Sequence, residues 1–117
     1  MIFGHIGIKV LDMEKSLKFY ESVLSANLLK DYHYPECRLV FLDVGGTVIE
    51  LIGMKTNTQK TAGPIEHIAF KVDDLGEKIQ LLNDLGIPYT RPREVGTARI
   101  VFFDGPNNEK FEFVAKI

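Results

Sequence analysis

Apolar and polar residues change period several times along the chain, and those changes delimit its elements. His5 to Asp12, HIGIKVLD, alternates in the manner of a half-buried strand. Asp12 is then placed to cap a helix whose apolar residues Met13, Leu17, Tyr20 and Leu24 recur at helical spacing. Extended runs follow at Leu28 to Tyr34, Arg38 to Asp43 and Thr47 to Ile52. A polar stretch intervenes, and the same order starts again at HIAFKVDD, His67 to Asp74. Here Asp74 with Glu77 makes a capping-box-like start. Leu75, Ile79, Leu82 and Leu85 form the helical stripe, and Gly86 supplies a stop. Further extended runs are predicted at Tyr89 to Val95, Arg99 to Asp104 and Lys110 to Ala115.

The recurrence is a repeat. At an offset of 62 positions His5 falls on His67, Ile6 on Ile68, Lys9 on Lys71, Val10 on Val72 and Asp12 on Asp74, and the same offset carries Phe41 to Phe103 and Glu50 to Glu112 without a gap. The chain is therefore expected to be a single domain, 1–117, with one copy over about 2–53, a Thr-rich linker over 54–63 that closes at Gly63-Pro64, and a second copy over about 64–116. Each copy reads as βαβββ. One helix covers one face of a sheet, so a lone unit leaves the other face open and needs its twin. The predicted class is α+β: two βαβββ repeats forming a curved eight-stranded mixed sheet, a cup with its helices outside. The concave face is where function is sought.

Alternation along the strands divides the residues between the two faces. Ile6, Ile8 and Val10 oppose Phe3, His5, Gly7 and Lys9, while Ile68, Phe70 and Val72 oppose His67, Ala69 and Lys71. Late in each copy Ile49 and Leu51 oppose Glu50, and Phe111 and Phe113 oppose Glu112. With the apolar faces assigned to the helices, His5, Glu50, His67 and Glu112 project into the cup, beside Gly7 and Ala69, which are too small to fill it. A single strand histidine is more often a half-buried, hydrogen-bonded residue than a ligand. Two histidines and two carboxylates on one inward face make a divalent-metal site with two nitrogen and two oxygen donors, admissible for Zn, Ni, Co, Mn or Fe. Such a set on a six-coordinate ion leaves positions open for substrate oxygens.

Composition narrows the partners. The 117 residues carry 14 Lys+Arg against 16 Asp+Glu, a formal charge of −2, with no basic run of the kind that binds nucleic acid or an anionic membrane. A small-molecule substrate is the expectation, with no nucleic acid and no membrane. A domain of this size buries roughly two-thirds of the surface of its unfolded chain, enough for a core without staples. One cysteine, Cys37, excludes an internal disulfide and suits a reducing compartment. The opening MIFGHIGIKV lacks a positive n-region and reads as a strand, so a cytoplasmic location is expected.

HIGIKVLDMEKSLKFYESVL, VGGTVIEL around Glu50, HIAFKVDDL and FFDGPNNEKFEFV together resemble the vicinal oxygen chelate superfamily of glyoxalases, bleomycin-resistance proteins and dioxygenases over nearly the whole chain. The ligand order His, Glu, His, Glu is most similar to bacterial-type glyoxalase I. That resemblance implies a metal-dependent lyase, lactoylglutathione lyase-like, that isomerises the hemithioacetal of a 2-oxoaldehyde and a thiol through an enediolate. It implies metal ligation by His5, Glu50, His67 and Glu112, with Glu112 as catalytic base and Glu50 its symmetric candidate. It also implies a homodimer in which the ligands come from one subunit or two. Lys9 stands where relatives carry an arginine directed at the glutathione carboxylates, and Met54 where an asparagine is common. Lys9, its repeat mate Lys71, and Arg99 are the expected substrate contacts, with Arg38, Arg91 and Arg93 as further candidates for an anionic tail. Methylmalonyl-CoA epimerase-like racemisation and ligand sequestration without turnover are the alternatives. Cys37 reads as a small core or edge residue, His33 as a rim residue, and Phe102, Phe103, Phe111 and Phe113 as core.

Overall fold

The computed structural model describes residues 5–57, 65 and 67–117. The chain divides into two compact units, 1–60 and 61–117. The first runs β1 (Ile6–Val10), α1 (Met13–Leu24), β2 (Asn27–His33), β3 (Cys37–Val44) and β4 (Thr47–Met54). The second runs β5 (Ile68–Lys71), α2 (Leu75–Asp84), β6 (Arg93–Val95), β7 (Ala98–Asp104) and β8 (Lys110–Lys116). Both sheets are mixed, ordered β1-β4-β3-β2 and β5-β8-β7-β6. In each, the first strand runs parallel to the last and the remaining pairs are antiparallel. The predicted α+β class of two βαβββ repeats holds, with the described strands divided four and four.

Local chemistry explains the helix limits. The Asp12 carboxylate accepts from the Lys15 amide at 3.1 Å and the Asp74 carboxylate from the Glu77 amide at 3.1 Å, so each helix begins where its N-cap satisfies an otherwise orphaned donor. α1 closes on Ser25 in the left-handed region (φ 53°), and the Ala26 amide returns to the Tyr20 carbonyl at 3.1 Å. α2 ends at Asp84 because Gly86 takes φ 68° and turns the chain away. Leu85, counted in the apolar stripe, therefore lies at the cap and is exposed.

Each helix covers one face of its own sheet. In the first unit Val10, Tyr20, Val23, Val40, Leu42, Ile49 and Leu51 are buried. In the second Leu82, Val101, Phe103, Phe111 and Phe113 are buried, with Phe103 stacked at a tilt on both Phe111 and Phe113. The Lys78 ammonium of α2 lies 6.0 Å from the centre of the Phe113 ring, which marks that face as the helix side. Ile49 and Leu51, and Phe111 and Phe113, thus fall on the face assigned to them.

Two differences from the sequence reading follow from turn and backbone chemistry. The run Tyr89 to Val95 is strand only at Arg93–Val95, with a single bridge from Tyr89 to Phe103, since Pro88 and Pro92 have no N–H for a ladder. The overlay of the copies also needs a one-residue shift. β3 and β4 are joined by Gly45 and Gly46, both at positive φ, as a two-residue hairpin, whereas β7 and β8 are joined by five residues, Gly105 to Glu109. Phe41 therefore pairs with Glu50, but Glu112 pairs with Phe102, not Phe103.

Of the expected linker, Met54 is the last residue of β4, while 58–63, together with Pro64 and Phe3, lie outside the described residues. The Asn57 amide group donates to the Val10 carbonyl at 3.0 Å and the Ile52 carbonyl at 2.8 Å, which pins the chain against the ends of β1 and β4. Among the described residues no helix is long and apolar enough to cross a membrane.

Candidate functional site

Each unit brings one histidine to one glutamate by the same construction. His5 immediately precedes β1, and Glu50 lies on the adjacent parallel β4, paired with Gly7. His67 immediately precedes β5, and Glu112 lies on the adjacent parallel β8, paired with Ala69. The His5 Nε2 to Glu50 Oε1 distance is 3.4 Å, and that from His67 Nε2 to Glu112 Oε1 is 3.5 Å. In both pairs the carboxylate is the sheltered member, its side chain 15% exposed for Glu50 and 11% for Glu112.

The small residues have the role their size suggests. A Cβ on Gly7 would sit 3.7 Å from Glu50 Oε1 and 3.2 Å from the Ile52 Cδ1 methyl. The bare backbone there leaves room for the carboxylate, and Ala69 repeats this next to Glu112 with one methyl more. An aromatic ring also lies against each imidazole. His5 meets Phe41 edge-on at 5.7 Å between ring centres, and His67 meets Phe102 at 5.3 Å. These phenylalanines are the cross-strand partners of Glu50 and Glu112. Phe102 is thus part of the site face and departs from the core role expected of it, while Phe103, Phe111 and Phe113 keep that role.

Separations of 3.4 and 3.5 Å are ion-pair contacts longer than the usual N–H···O hydrogen bond, and they are also compatible in length with two donors on a shared ion. Two ligands about 2.1 Å from one divalent cation lie roughly 3.0 Å apart at a right angle and roughly 3.4 Å apart at the tetrahedral angle. The nitrogen and oxygen donors match a borderline divalent ion. One pair is half of such a shell. Among the described residues no group of three or more His, Cys, Asp or Glu side chains that could hold a metal ion is gathered; what each unit brings together is one His–Glu pair.

The remaining candidates separate by sheet face. Lys9 and Lys71 lie two residues beyond Gly7 and Ala69 on the same strands and share their face. Arg99 pairs with Ala115, and so lies on the helix side with Phe111 and Phe113, opposite Glu112. Arg38 is also on its helix side. Its guanidinium bonds both Asp31 oxygens, at 3.0 and 2.8 Å, and the Glu14 carboxylate of α1. That donation from Arg38 holds the Asp31 carboxyl below its ordinary range, and His33, 3.1 Å from the same carboxylate, adds to it. His33 is thereby engaged on the face away from Glu50. Cys37 opens β3 opposite Met54, half-buried and outside any disulfide among the described residues.

Sequence reasoning missed Tyr32, and it left Arg93 as one of several arginine candidates without a face. Tyr32 pairs with Leu39 and contacts Phe41 edge-on at 6.1 Å, extending the aromatic surface from His5, and it stacks on Tyr34 at 6.2 Å. Arg93 pairs with Ile100, two residues from Phe102, and so shares the face of Glu112. Counting alternation outward from each glutamate across its hairpin would have found Tyr32 and placed Arg93 on its face, given the turn lengths.

A family model described as the Glyoxalase/Bleomycin resistance protein/Dioxygenase superfamily matches residues 2–113. The chain is 34% identical over 122 residues to the lactoylglutathione lyase of Neisseria meningitidis serogroup A, covering 96% of this chain and 88% of that one. It is 33% identical over 124 residues to a probable lactoylglutathione lyase of Synechocystis, covering 97% and 95%. It is 30% identical over 114 residues to the metallothiol transferase FosB of Staphylococcus epidermidis, covering 93% and 78%. Among solved structures, the glyoxalase family protein from Enterococcus faecalis superposes with a TM-score of 0.84 at 23% identity, covering 97% of this chain and 96% of that one. A variant of the fosfomycin resistance protein FosX from Listeria monocytogenes, complexed with Mn(II) and 1S,2S-dihydroxypropylphosphonic acid, superposes with a TM-score of 0.82 at 21% identity, covering 97% and 92%.

Proposed function

The chain belongs to the glyoxalase/bleomycin resistance protein/dioxygenase superfamily, and from that membership we propose that it is a metal-dependent, glyoxalase I-like isomerase of 2-oxoaldehyde–thiol hemithioacetals. The observation that carries this reading is the duplicated His–Glu pair, His5 with Glu50 and His67 with Glu112, at matching distances and each beside a residue too small to crowd the carboxylate. The lactoylglutathione lyase relatives support it, and the Mn(II) held by the FosX complex supports a divalent ion in this fold. In the proposed site His5, Glu50, His67 and Glu112 hold one Zn, Ni, Co, Mn or Fe ion, with the two pairs brought together within one chain or between the two chains of a cytoplasmic homodimer.

The bound ion would supply electrostatic stabilisation for negative charge that develops on the substrate oxygens. The chain's own groups do the proton work. The Glu112 carboxylate takes the proton from the carbon that bears sulfur and returns it to the adjacent carbonyl carbon. One C–H bond breaks and one forms, the hydroxyl proton passes to the former carbonyl oxygen so that the hydroxyl-bearing carbon becomes the thioester carbonyl and its neighbour a secondary alcohol, and no external oxidant or reductant is needed. Low exposure at Glu112 keeps bulk water from exchanging that proton freely. Glu50 holds the equivalent position in the first repeat and is the alternative base.

Replacing Glu112 with Gln tests the assignment, since the amide keeps the shape and an oxygen donor but is no base. The expected result is a protein that still binds its ion but isomerises the methylglyoxal–glutathione adduct about a hundred- to ten-thousandfold more slowly. Full activity in that variant would remove Glu112 from the base role and move it to Glu50.

A further inference from the structure

In the first unit the place of the histidine depends on a short strand with one neighbour. β1 is five residues long and, within its own sheet, pairs only with β4. His5 precedes it directly, so the 3.4 Å approach of His5 Nε2 to Glu50 Oε1 lasts only while Gly7 stays opposite Glu50. A slip of one residue would turn every side chain of β1 to the other face. A slip of two would keep the face but carry His5 about 6.6 Å along β4, away from Glu50. Burial does little to forbid the longer slip at the histidine end, where Ile6 and Ile8 are only half-buried. Val10, at the opposite end, is the one buried residue of β1, 1% exposed.

At that opposite end a side chain ties the two strands together. The Asn57 backbone N–H donates to the Met54 carbonyl at 3.0 Å, closing a turn that brings the Asn57 side chain back over the ends of β1 and β4. Its Nδ2 donates to the Val10 carbonyl of β1 at 3.0 Å and to the Ile52 carbonyl of β4 at 2.8 Å. A side-chain amide nitrogen has two hydrogens, and here each goes to a different strand. Sliding β1 by two residues would break the bond to Val10, so the clamp opposes the slip that burial leaves open. It stands two residues along β4 from Glu50 and three along β1 from Gly7, about 7–10 Å away, and so acts on the site through the strands. In the second unit Val72 and Val114 correspond to Val10 and Ile52, and there the Val72 amide donates to the Val114 carbonyl at 2.9 Å.

We propose that Asn57 is a positioning residue, whose side-chain amide locks β1 against β4 in the register that keeps His5 beside Glu50. This rests on the preceding reading only in that the His5–Glu50 pair is taken as half of an ion site.

Two variants test this by nuclear magnetic resonance and metal titration, without any turnover. Asn57→Asp keeps the shape of the side chain and removes both donors, while Asn57→Gln keeps the donors on a longer stem. With no metal added, exchange of the β1 amides is expected to be about tenfold faster in Asn57→Asp, with those of β3 and β5 at the rates of the parent. The His5 imidazole proton signals, which carry the ring current of Phe41, are expected to move, and those of His67 to stay. Titrated with Zn(II), Asn57→Asp is expected to bind about tenfold more weakly, although its added negative charge taken alone would favour a cation. Asn57→Gln should recover part of each effect. Unchanged β1 exchange and His5 signals in Asn57→Asp overturn the proposal. Faster exchange of equal size in β1, β3 and β5 also overturns it, since Asn57 would then only stabilise the fold. So does Zn(II) affinity in Asn57→Asp equal to that of a parent that binds the ion. If the parent binds no Zn(II), the ion-site reading falls, and β1 exchange with the His5 signals still decides the role of Asn57.

Discussion

Gly7 offers a direct way to ask whether the space beside Glu50 exists for the carboxylate. A Cβ placed there falls 3.2 Å from Ile52 Cδ1, the far end of a flexible side chain, and 3.7 Å from Glu50 Oε1. Gly7→Ala therefore fits after a small rotation of Ile52, and Ala69 already fills the equivalent place opposite Glu112. Gly7→Val adds two methyl groups about 1.5 Å beyond Cβ, and one directed towards Oε1 closes the 3.7 Å gap to well under van der Waals contact. The Glu50 carboxylate must then leave its place beside His5. A misplaced carboxylate ligand should cost about ten- to a hundredfold in metal affinity, the scale seen when the support of a ligand is lost. Global stability should stay within about 1 kcal/mol of the parent, because a strand glycine is itself unfavourable by roughly 0.5–1 kcal/mol and valine suits a strand. Competition titration of Zn(II) or Ni(II) against a chromophoric chelator, run beside thermal melts, separates the two quantities. Gly7→Val with the metal affinity of the parent would refute the account of Gly7, as would Gly7→Ala losing as much affinity as Gly7→Val.

Other consequences concern the scaffold. Leu82 is fully buried between α2 and its sheet, so Leu82→Ala should cost about 2–5 kcal/mol in chemical denaturation, whereas Leu85→Ala at the exposed cap should cost well under that. Asp74→Ala removes the acceptor for the Glu77 amide and should cost about 1 kcal/mol, read as a lower melting temperature. The Arg38–Asp31 contact has a pH signature. Asp31 titrates below its ordinary value near 3.8 in the folded protein, so its stabilising contribution is complete above that pH and is lost as pH falls through the depressed value. The stability gap between the parent and Arg38→Met should therefore be present at neutral pH and shrink under strongly acidic conditions. A gap that stays constant with pH would show that Arg38 stabilises through packing alone.

Much of this molecule was legible because a duplicated unit is written twice. Alternation in HIGIKV and HIAFKV put His5 and His67 on the face away from Ile6 and Ile68, and the structure keeps both histidines beside the predicted glutamates. Asp12 and Asp74 cap as their side chains suggest. What did not show was anything that depends on turn length. The two-residue turn at Gly45-Gly46 and the five-residue turn from Gly105 to Glu109 differ in the register they impose, so an even offset misassigned Phe103 as the partner of Phe41 and hid Phe102. The same shift decides that Arg99 faces the helix and Arg93 the site. Ion pairing was likewise invisible, because Arg38 meets Glu14 across 24 positions of chain.

The central claim is that His5, Glu50, His67 and Glu112 hold a divalent ion on which isomerisation depends. Its most direct test is to strip the protein with a chelator, titrate Ni(II), Zn(II), Co(II) or Mn(II) back, and measure ion binding and methylglyoxal–glutathione isomerisation on the same samples. The account predicts no activity without metal, a rate that rises with occupancy to one ion per four-ligand site, and the loss of tight binding in both His5→Ala and His67→Ala. Activity in the stripped protein, or ion binding that survives both substitutions, would contradict it.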